Sequence, residues 1–302
     1  MNRILAIALL LACSAGLSLA AGSQQMAFER RTAIWMANVD GSNPRKIAKG
    51  SGPDLSPDGA RIAFNTDDSS KTDLVREIAI VEVSSKKVTL VKGIPSRNCQ
   101  RAIWSPDGKQ ILFNLWNGND WDLALISPDG SGFRSFKKAG PEHQSLWSTS
   151  WSADGKSIFA QDLDYIYRFD LEGEELKKWK VDSLFPKGGM NSGAVISSSP
   201  DGKTLLIEVE MDEEVTNMPD WDGPPPSLWT LDLDSGKTTR LTKKGMLGSG
   251  GCWLDRGHIL FNLFSPNEKE PAIYEMDLEK KEIKPVIKNG VNPSVSRAVG
   301  NG

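Results

Sequence analysis

Four aspartates recur in one setting: Ser56-Pro57-Asp58-Gly59, Ser105-Pro106-Asp107-Gly108, Ser152-Ala153-Asp154-Gly155 and Ser199-Pro200-Asp201-Gly202. Such carboxylates could serve acid–base or calcium chemistry, but an active site has no use for a group repeated along a chain. Turn chemistry accounts for them: proline presets the first corner, aspartate bonds nearby backbone, and glycine accepts positive φ. Asp232 and Asp234 before Gly236 evoke a calcium loop without its full ligand spacing, and a hairpin turn explains them. His143 and His258 are the two histidines. They cannot assemble a histidine-rich metal centre, so no metal or cofactor is expected. Asp120 paired with Asp212 or Asp222 would suit glycoside chemistry, but nothing in the spacing favours that pair over chance.

The tetrapeptides sit in a larger repeat. Each is followed by an apolar strand: Arg61-Ile62-Ala63-Phe64, Gln110-Ile111-Leu112-Phe113, Ser157-Ile158-Phe159-Ala160 and Thr204-Leu205-Leu206-Ile207. Leu254-Asp255-Arg256-Gly257 before His258-Ile259-Leu260-Phe261 is a degenerate fifth copy, and the first four start 49, 47 and 47 residues apart. Trp104, Trp151 and Trp253 recur just before the turns and are expected to pack between repeats. A third apolar strand, an Asp/Gly turn and a short fourth strand complete each unit. Four strands in about 47 residues make the blade of a propeller.

The ends fix the count. Near the N-terminus, strands read at Gln25-Met26-Ala27-Phe28, Ala33-Ile34-Trp35-Met36-Ala37 and Pro44-Arg45-Lys46-Ile47 lack a first strand. Near the C-terminus, Pro293-Ser294-Val295-Ser296 reads as a first strand with none after it. The expected fold is all-β: a six-bladed propeller of four-stranded blades, closed by a blade sharing three N-terminal strands and one C-terminal strand, occupying 21–302 as one domain. Cys99 and Cys252 then lie on blades three apart, too far for a bridge that needs Cα atoms within about 7 Å. Two free thiols are expected, with Cys252 buried.

Function on a repeat scaffold belongs to the loops that break the repeat. These are 66–76, 115–121, 211–227 and 264–271 within blades, and 92–101, 137–148 and 181–193 between them, all on the face opposite the tetrapeptide turns. The candidate ligand-binding residues are Arg101, Trp116, Asp120, Trp121, His143, Trp147, Trp221 and Asp222. Trp116, Trp121 and Trp147 could line a mouth suited to sugar faces or a peptide. Against that stands core packing, the commoner place for a tryptophan at a strand edge. Trp221, in a loop stiffened by Pro224-Pro225-Pro226, is either presented to a partner or packed on its own blade.

The 36 basic and 39 acidic residues, net charge -3, are mixed along the chain. No basic stripe exists to neutralise a phosphate backbone, so nucleic acid is not an expected partner. Residues 1–20 read as a signal peptide: Arg3, an apolar run from Ile4 to Ala12, and Ser18-Leu19-Ala20 before the cleavage point. Leu10-Leu11-Ala12-Cys13 resembles a lipobox, with lipidation at Cys13 as the rival, but Gly16-Leu17-Ser18-Leu19-Ala20 would then be an apolar start to the mature chain. No later segment suits a bilayer span. A periplasmic or secreted monomer is expected.

Ile34-Trp35-Met36-Ala37-Asn38-Val39-Asp40-Gly41-Ser42-Asn43-Pro44-Arg45 and Leu55-Ser56-Pro57-Asp58-Gly59-Ala60-Arg61-Ile62-Ala63-Phe64 resemble the propeller repeats of the TolB family. The likeness runs repeat by repeat through the mature chain and covers the propeller alone, since no segment matches TolB's N-terminal α/β domain. It implies an envelope protein, peptide or glycan partner bound without catalysis. The alternative it leaves open is a carbohydrate-active enzyme, a polysaccharide lyase or glycoside hydrolase, with a carboxylate site at the channel mouth. Lyases resembling this repeat rely on clustered histidines around a metal, which two histidines cannot supply.

Overall fold

The computed structural model describes residues 24–68, 75–136, 145–215, 221–265 and 270–296. Six antiparallel sheets form the blades. Blade one is built from Ser51–Leu55, Arg61–Asp68, Val75–Glu82 and Val88–Leu90. Blade two follows with Cys99–Trp104, Ile111–Trp116, Trp121–Ile126 and Arg134–Ser135. Blade three holds Trp147–Trp151, Ser157–Gln161, Tyr165–Asp170 and Glu175–Lys180. Blade four holds Ile196–Ser198, Thr204–Met211, Pro226–Asp232 and Thr238–Arg240, and blade five Leu247–Trp253, His258–Phe264, Ala272–Asp277 and Ile283–Ile287. In blade six, Val291–Val295 pairs with Gln25–Arg30, followed by Ala33–Asn38 and Arg45–Lys49. The shared closing blade expected from the complementary ends is present. Residues 1–20 and Cys13 lie outside the described residues.

Each blade is sandwiched, so its strands bury both faces and read as nearly continuous apolar runs. On Ile111–Trp116, Ile111, Phe113 and Leu115 pack against Ala63, Ile78 and Ile80 of blade one, while Leu112 joins Trp151 and Ile158 of blade three. Trp104 and Trp151 are buried, and the indole N–H groups of Trp151 and Trp253 donate to the Ile103 and Ser197 carbonyls of the preceding blades. These tryptophans pack between blades, as their recurrence implied.

The tetrapeptides close the hairpins between first and second strands. Ser199 Oγ donates to Asp201 Oδ1 at 2.7 Å, the Lys203 N–H donates to the same oxygen, and the Thr204 N–H reaches Ser199 Oγ. The Ser199 hydroxyl is the first cause holding Asp201 below its ordinary pKa. Gly59, Gly108, Gly155 and Gly202 sit at φ 67–70°, where a side chain would be strained.

Blade four departs from the pattern. Its inner strand is split: Gly188–Gly189 pairs with Glu210 and Met211, Ile196–Ser198 pairs with Leu205–Ile207, and a loop through Asn191 and Gly193 leaves the sheet between them. A single helical turn, Val181–Leu184, precedes it.

Candidate binding site

The innermost strands surround the axis, and their bulges shape the channel. Register shifts fall between Ser51 and Asp54, Gln100 and Ile103, Trp147 and Ser150, and Ser249 and Cys252. At these bulges Gly52, Arg101, Ser148 and Gly250 take φ of 58, 58, 61 and 58°, and Asn292 takes 55° on the closing strand. Glycine and asparagine adopt this left-handed conformation readily, whereas arginine does so at a cost of about 1 kcal/mol.

The bulges are fastened from the preceding blade. The Gly52, Arg101, Gly250 and Asn292 N–H groups donate to Glu29 Oε2, Asn65 Oδ1, Glu208 Oε2 and Asn262 Oδ1, at 2.8 to 3.1 Å. Asn114 Nδ2 donates to the Leu146 carbonyl, and Gln161 Nε2 to that of Asn191. All six fasteners lie on second strands and share strand parity with apolar residues facing the next blade, as Asn114 does with Leu112. Sequence reasoning missed them. Their signal was a polar residue six positions beyond each tetrapeptide glycine: Asn65, Asn114, Gln161 and Glu208.

The channel is a cavity of about 1110 Å³. Its wall runs from Pro57, Pro106, Ala153 and Pro200 at the turn face to Gly52, Arg101, Val195, Gly250 and Asn292 at the bulges. Asp54 also lines it, with Oδ2 accepting the Trp104 N–H and Oδ1 the Ser294 hydroxyl. Among the described residues two arginines line the channel, Arg101 at the bulge level and Arg256 at the turn face. Arg101 Nη1 donates to the Gly193 carbonyl at 3.2 Å, while its buried Nε has no partner and no carboxylate among the described residues forms an ion pair with it. Burial pulls its pKa below the ordinary guanidinium value, with Glu208 opposing. Glu208 is buried on the second strand of blade four, the blade whose Gly193 carbonyl takes Arg101 Nη1, and burial pushes its pKa up to about 7 against the Gly250 N–H and Arg101.

Of the seven candidate residues that the structure describes, Arg101 alone lines the channel. Trp116 and Trp121 are directly opposed across the hairpin, half-buried, with rings 5.7 Å apart. The Leu146 N–H donates to the Trp121 carbonyl, which brings half-buried Trp147 to the same end of the ring. Trp221 packs edge-on against Phe264 of blade five at 5.6 Å, and its indole N–H donates to the Gly223 carbonyl. Asp120 belongs to the tip of the Trp116–Trp121 hairpin, where its N–H donates to Asn117 Oδ1; Asp222 is exposed. His143 lies outside the described residues. His258 sits on the turn face, its Nδ1 2.9 Å from Asp255 Oδ1.

Neither cysteine is bridged. The expectation that Cys252 would be buried is reversed: Cys99 is enclosed between blades one and two, whereas Cys252, beyond the bulge, is half-buried on the channel wall. Burial pushes the Cys99 thiol up to about 12. Among the described residues no three His, Cys, Asp or Glu side chains converge as metal ligands, and no helix is long and apolar enough to cross a membrane.

No family model and no curated protein matches the chain. Among solved structures, TolB from Acinetobacter baumannii aligns at 16% identity with a TM-score of 0.66, covering 91% of this chain and 67% of that one. A putative TolB from Agrobacterium tumefaciens aligns at 16% identity and 0.61, covering 87% and 88%. An oligogalacturonate lyase in complex with manganese aligns at 14% and 0.53, covering 85% and 72%. The TolB-like propeller read from the repeats is thus shown as a fold, and that fold is shared by a lyase.

Proposed function

We propose that the chain is an exported, non-catalytic propeller of the cell envelope that holds a partner on its loop face, a protein ahead of a peptide or glycan. The observation that carries this reading is the pair of half-buried aromatic contacts at that face, Trp116 with Trp121 and Trp221 with Phe264. They stand on opposite sides of a rigid ring, so a partner spanning the mouth would meet large apolar surfaces whose ordering is already complete. Export is supported by the N-terminal pattern, and the TolB-like fold agrees with an envelope setting.

The carbohydrate-active reading needs two carboxylates free for chemistry at the mouth. Of the channel-wall carboxylates, Asp54 has both oxygens engaged, while Asp58 and Asp255 accept from the Ser56 hydroxyl and Ala60 N–H and from the Gly257 and His258 N–H groups of their own turns, so these carboxylates serve the scaffold. The test compares wild type with the Trp116→Ala/Trp121→Ala double variant in quantitative capture from envelope extracts, alongside a glycan array. A captured protein whose affinity drops about thirtyfold, the scale of a hot-spot truncation, at unchanged circular dichroism is the expected result. Equal recovery of every captured molecule by both proteins would sink the proposal.

A further inference from the structure

The outer strands of the six blades form the rim of the propeller, and their charges are unevenly matched. In blades two to five a rim cation meets a carboxylate: Arg134 with Glu172, Lys178 with Glu175, Arg240 with Glu213 and Lys284 with Glu275. At the seam of blades six and one, Arg45, Lys46, Lys49, Lys86 and Lys87 are exposed, and none forms an ion pair among the described residues. The hairpins that carry them hold two carboxylates, Glu82 and Asp40, and Asp40 is engaged by the Ser42 N–H and hydroxyl. Among these cations Val88 and Leu90 stand 47% and 44% exposed on the outer edge of blade one. Lysine guards an edge strand against pairing, but that role gives no reason to expose two apolar side chains beside it. Blade three also exposes an apolar residue at its rim, Leu176, but with Glu175 next to it in the strand.

Lys86 joins the two blades. It takes φ 57° at the turn position where blade four has Gly236 at 71°, and its N–H donates to the Glu82 carbonyl as that of Gly236 does to Asp232. A side chain is strained there, and this one reaches across the seam: Nζ donates to the Lys46 carbonyl at 2.9 Å. The register sorts the remaining cations. Arg45 lies opposite Met36, which packs toward blade one, and Lys46 opposite Trp35, which packs toward blade five, so the two project to different faces of blade six. Val88 and Leu90 lie opposite Val81 and Ala79. No single carboxylate or phosphate can collect charges that diverge in this way. A plane of many anionic groups can, because each lysine within about 10 Å of it is attracted independently, and Val88 and Leu90 would enter the apolar boundary beneath such headgroups.

We infer that the rim formed by the outer strands of blades six and one is a membrane-docking edge, which rests on a bilayer containing anionic phospholipid and leaves the loop face free for its own partner. The test is co-sedimentation of the mature chain, residues 21–302, with vesicles of phosphatidylcholine, with and without about one quarter phosphatidylglycerol, at about 0.1 and about 0.5 M salt. Wild type should sediment with the anionic vesicles alone and be released at the higher salt. A Lys46→Gln/Lys49→Gln/Lys87→Gln variant should partition about a hundredfold more weakly, at about fivefold for each lysine. A Lys109→Gln/Lys156→Gln/Lys203→Gln variant makes the same change in net charge with exposed lysines of the turn face and should bind as wild type, as should the W116A/W121A double variant. Val88→Ser/Leu90→Ser should weaken binding to the vesicles while leaving binding to dextran sulfate, a soluble polyanion, unchanged. The inference is overturned if wild type fails to sediment with anionic vesicles, or if the turn-face variant loses as much as the rim variant. Vesicle binding kept in full by Val88→Ser/Leu90→Ser, or lost by the tryptophan variant, overturns it equally: the first would make the rim a general polyanion surface, and the second would place the contact at the loop face.

Discussion

Replacing Glu208 with glutamine should remove a loss of stability that the wild-type protein suffers as pH rises through neutrality. Burial lifts the Glu208 carboxyl from an ordinary 4.5 to about 7. The folded protein therefore holds this proton more tightly than the unfolded chain. Stability from this group is fully present below about pH 4.5 and is lost as pH rises through about 7. The difference between the two pKa values corresponds to about 3 kcal/mol. Glutamine keeps an oxygen to accept the Gly250 N–H, now 2.8 Å from Glu208 Oε2, without a charge to bury. Urea unfolding of wild type and Glu208→Gln from about pH 4 to 9 gives the comparison, and the difference between the curves cancels the contributions of all other titrating groups. The curves should coincide at the acid end and part by about 3 kcal/mol near pH 8, with wild type the less stable. Parallel curves, or a wild type that gains on the variant as pH rises, would refute the assignment of Glu208 as a buried carboxyl strained by ionisation.

Two further outcomes test the scaffold. Asp201→Ala and Ser199→Ala should each cost about 1 kcal/mol in unfolding free energy, and the double variant should cost less than both together, since the two side chains share one network; strict additivity would break the reading of the tetrapeptide as a bonded unit. Native protein treated with iodoacetamide should be alkylated first at Cys252 on the channel wall, while Cys99, buried and pushed up to about 12, should react only on unfolding. Peptide mapping that finds equal rates would contradict the enclosure of Cys99 between blades one and two.

The blade count was legible because it rests on local chemistry. A Ser-Pro-Asp-Gly turn needs its own residues whatever surrounds it, and the unmatched strands at the two ends can satisfy their edges only by pairing, as Met26 with Val295 and Ala27 with Ser294. Strand limits were less legible where tertiary pairing decides them. Arg45–Lys49 runs past the Ile47 expected as its end, and Arg134–Ser135 is a strand only through Leu125 and Ala124 beside it. The split strand of blade four left no pattern, since Gly188 and Gly189 have no side chains with which to alternate.

The site was legible in part, for a related reason. Aromatic hairpin ends such as Trp116 and Trp121 announce themselves by type, and their half-burial satisfies both readings weighed for them: one face packs while the other stays open. Arg101 was marked as the end of a connection, yet it lies within Cys99–Trp104 at a left-handed bulge. Nothing in an arginine favours that conformation. It is imposed from the neighbouring blade by Asn65, whose Oδ1 takes the Arg101 N–H while its Nδ2 holds the Cys99 carbonyl. Asn65 was visible as the polar residue that ends the apolar run Ile62-Ala63-Phe64, six positions after Gly59. Its meaning depended on a contact 36 residues away. Once the fasteners are aligned around the ring, the position they grip becomes a register in which each blade can be compared with the others. Five blades fill or frame that register with glycine, serine, valine or asparagine, and one places a cation on the channel wall. A closed repeat tolerates uniformity at such a position, so the arginine of blade two carries a left-handed strain of about 1 kcal/mol that glycine at the same register avoids.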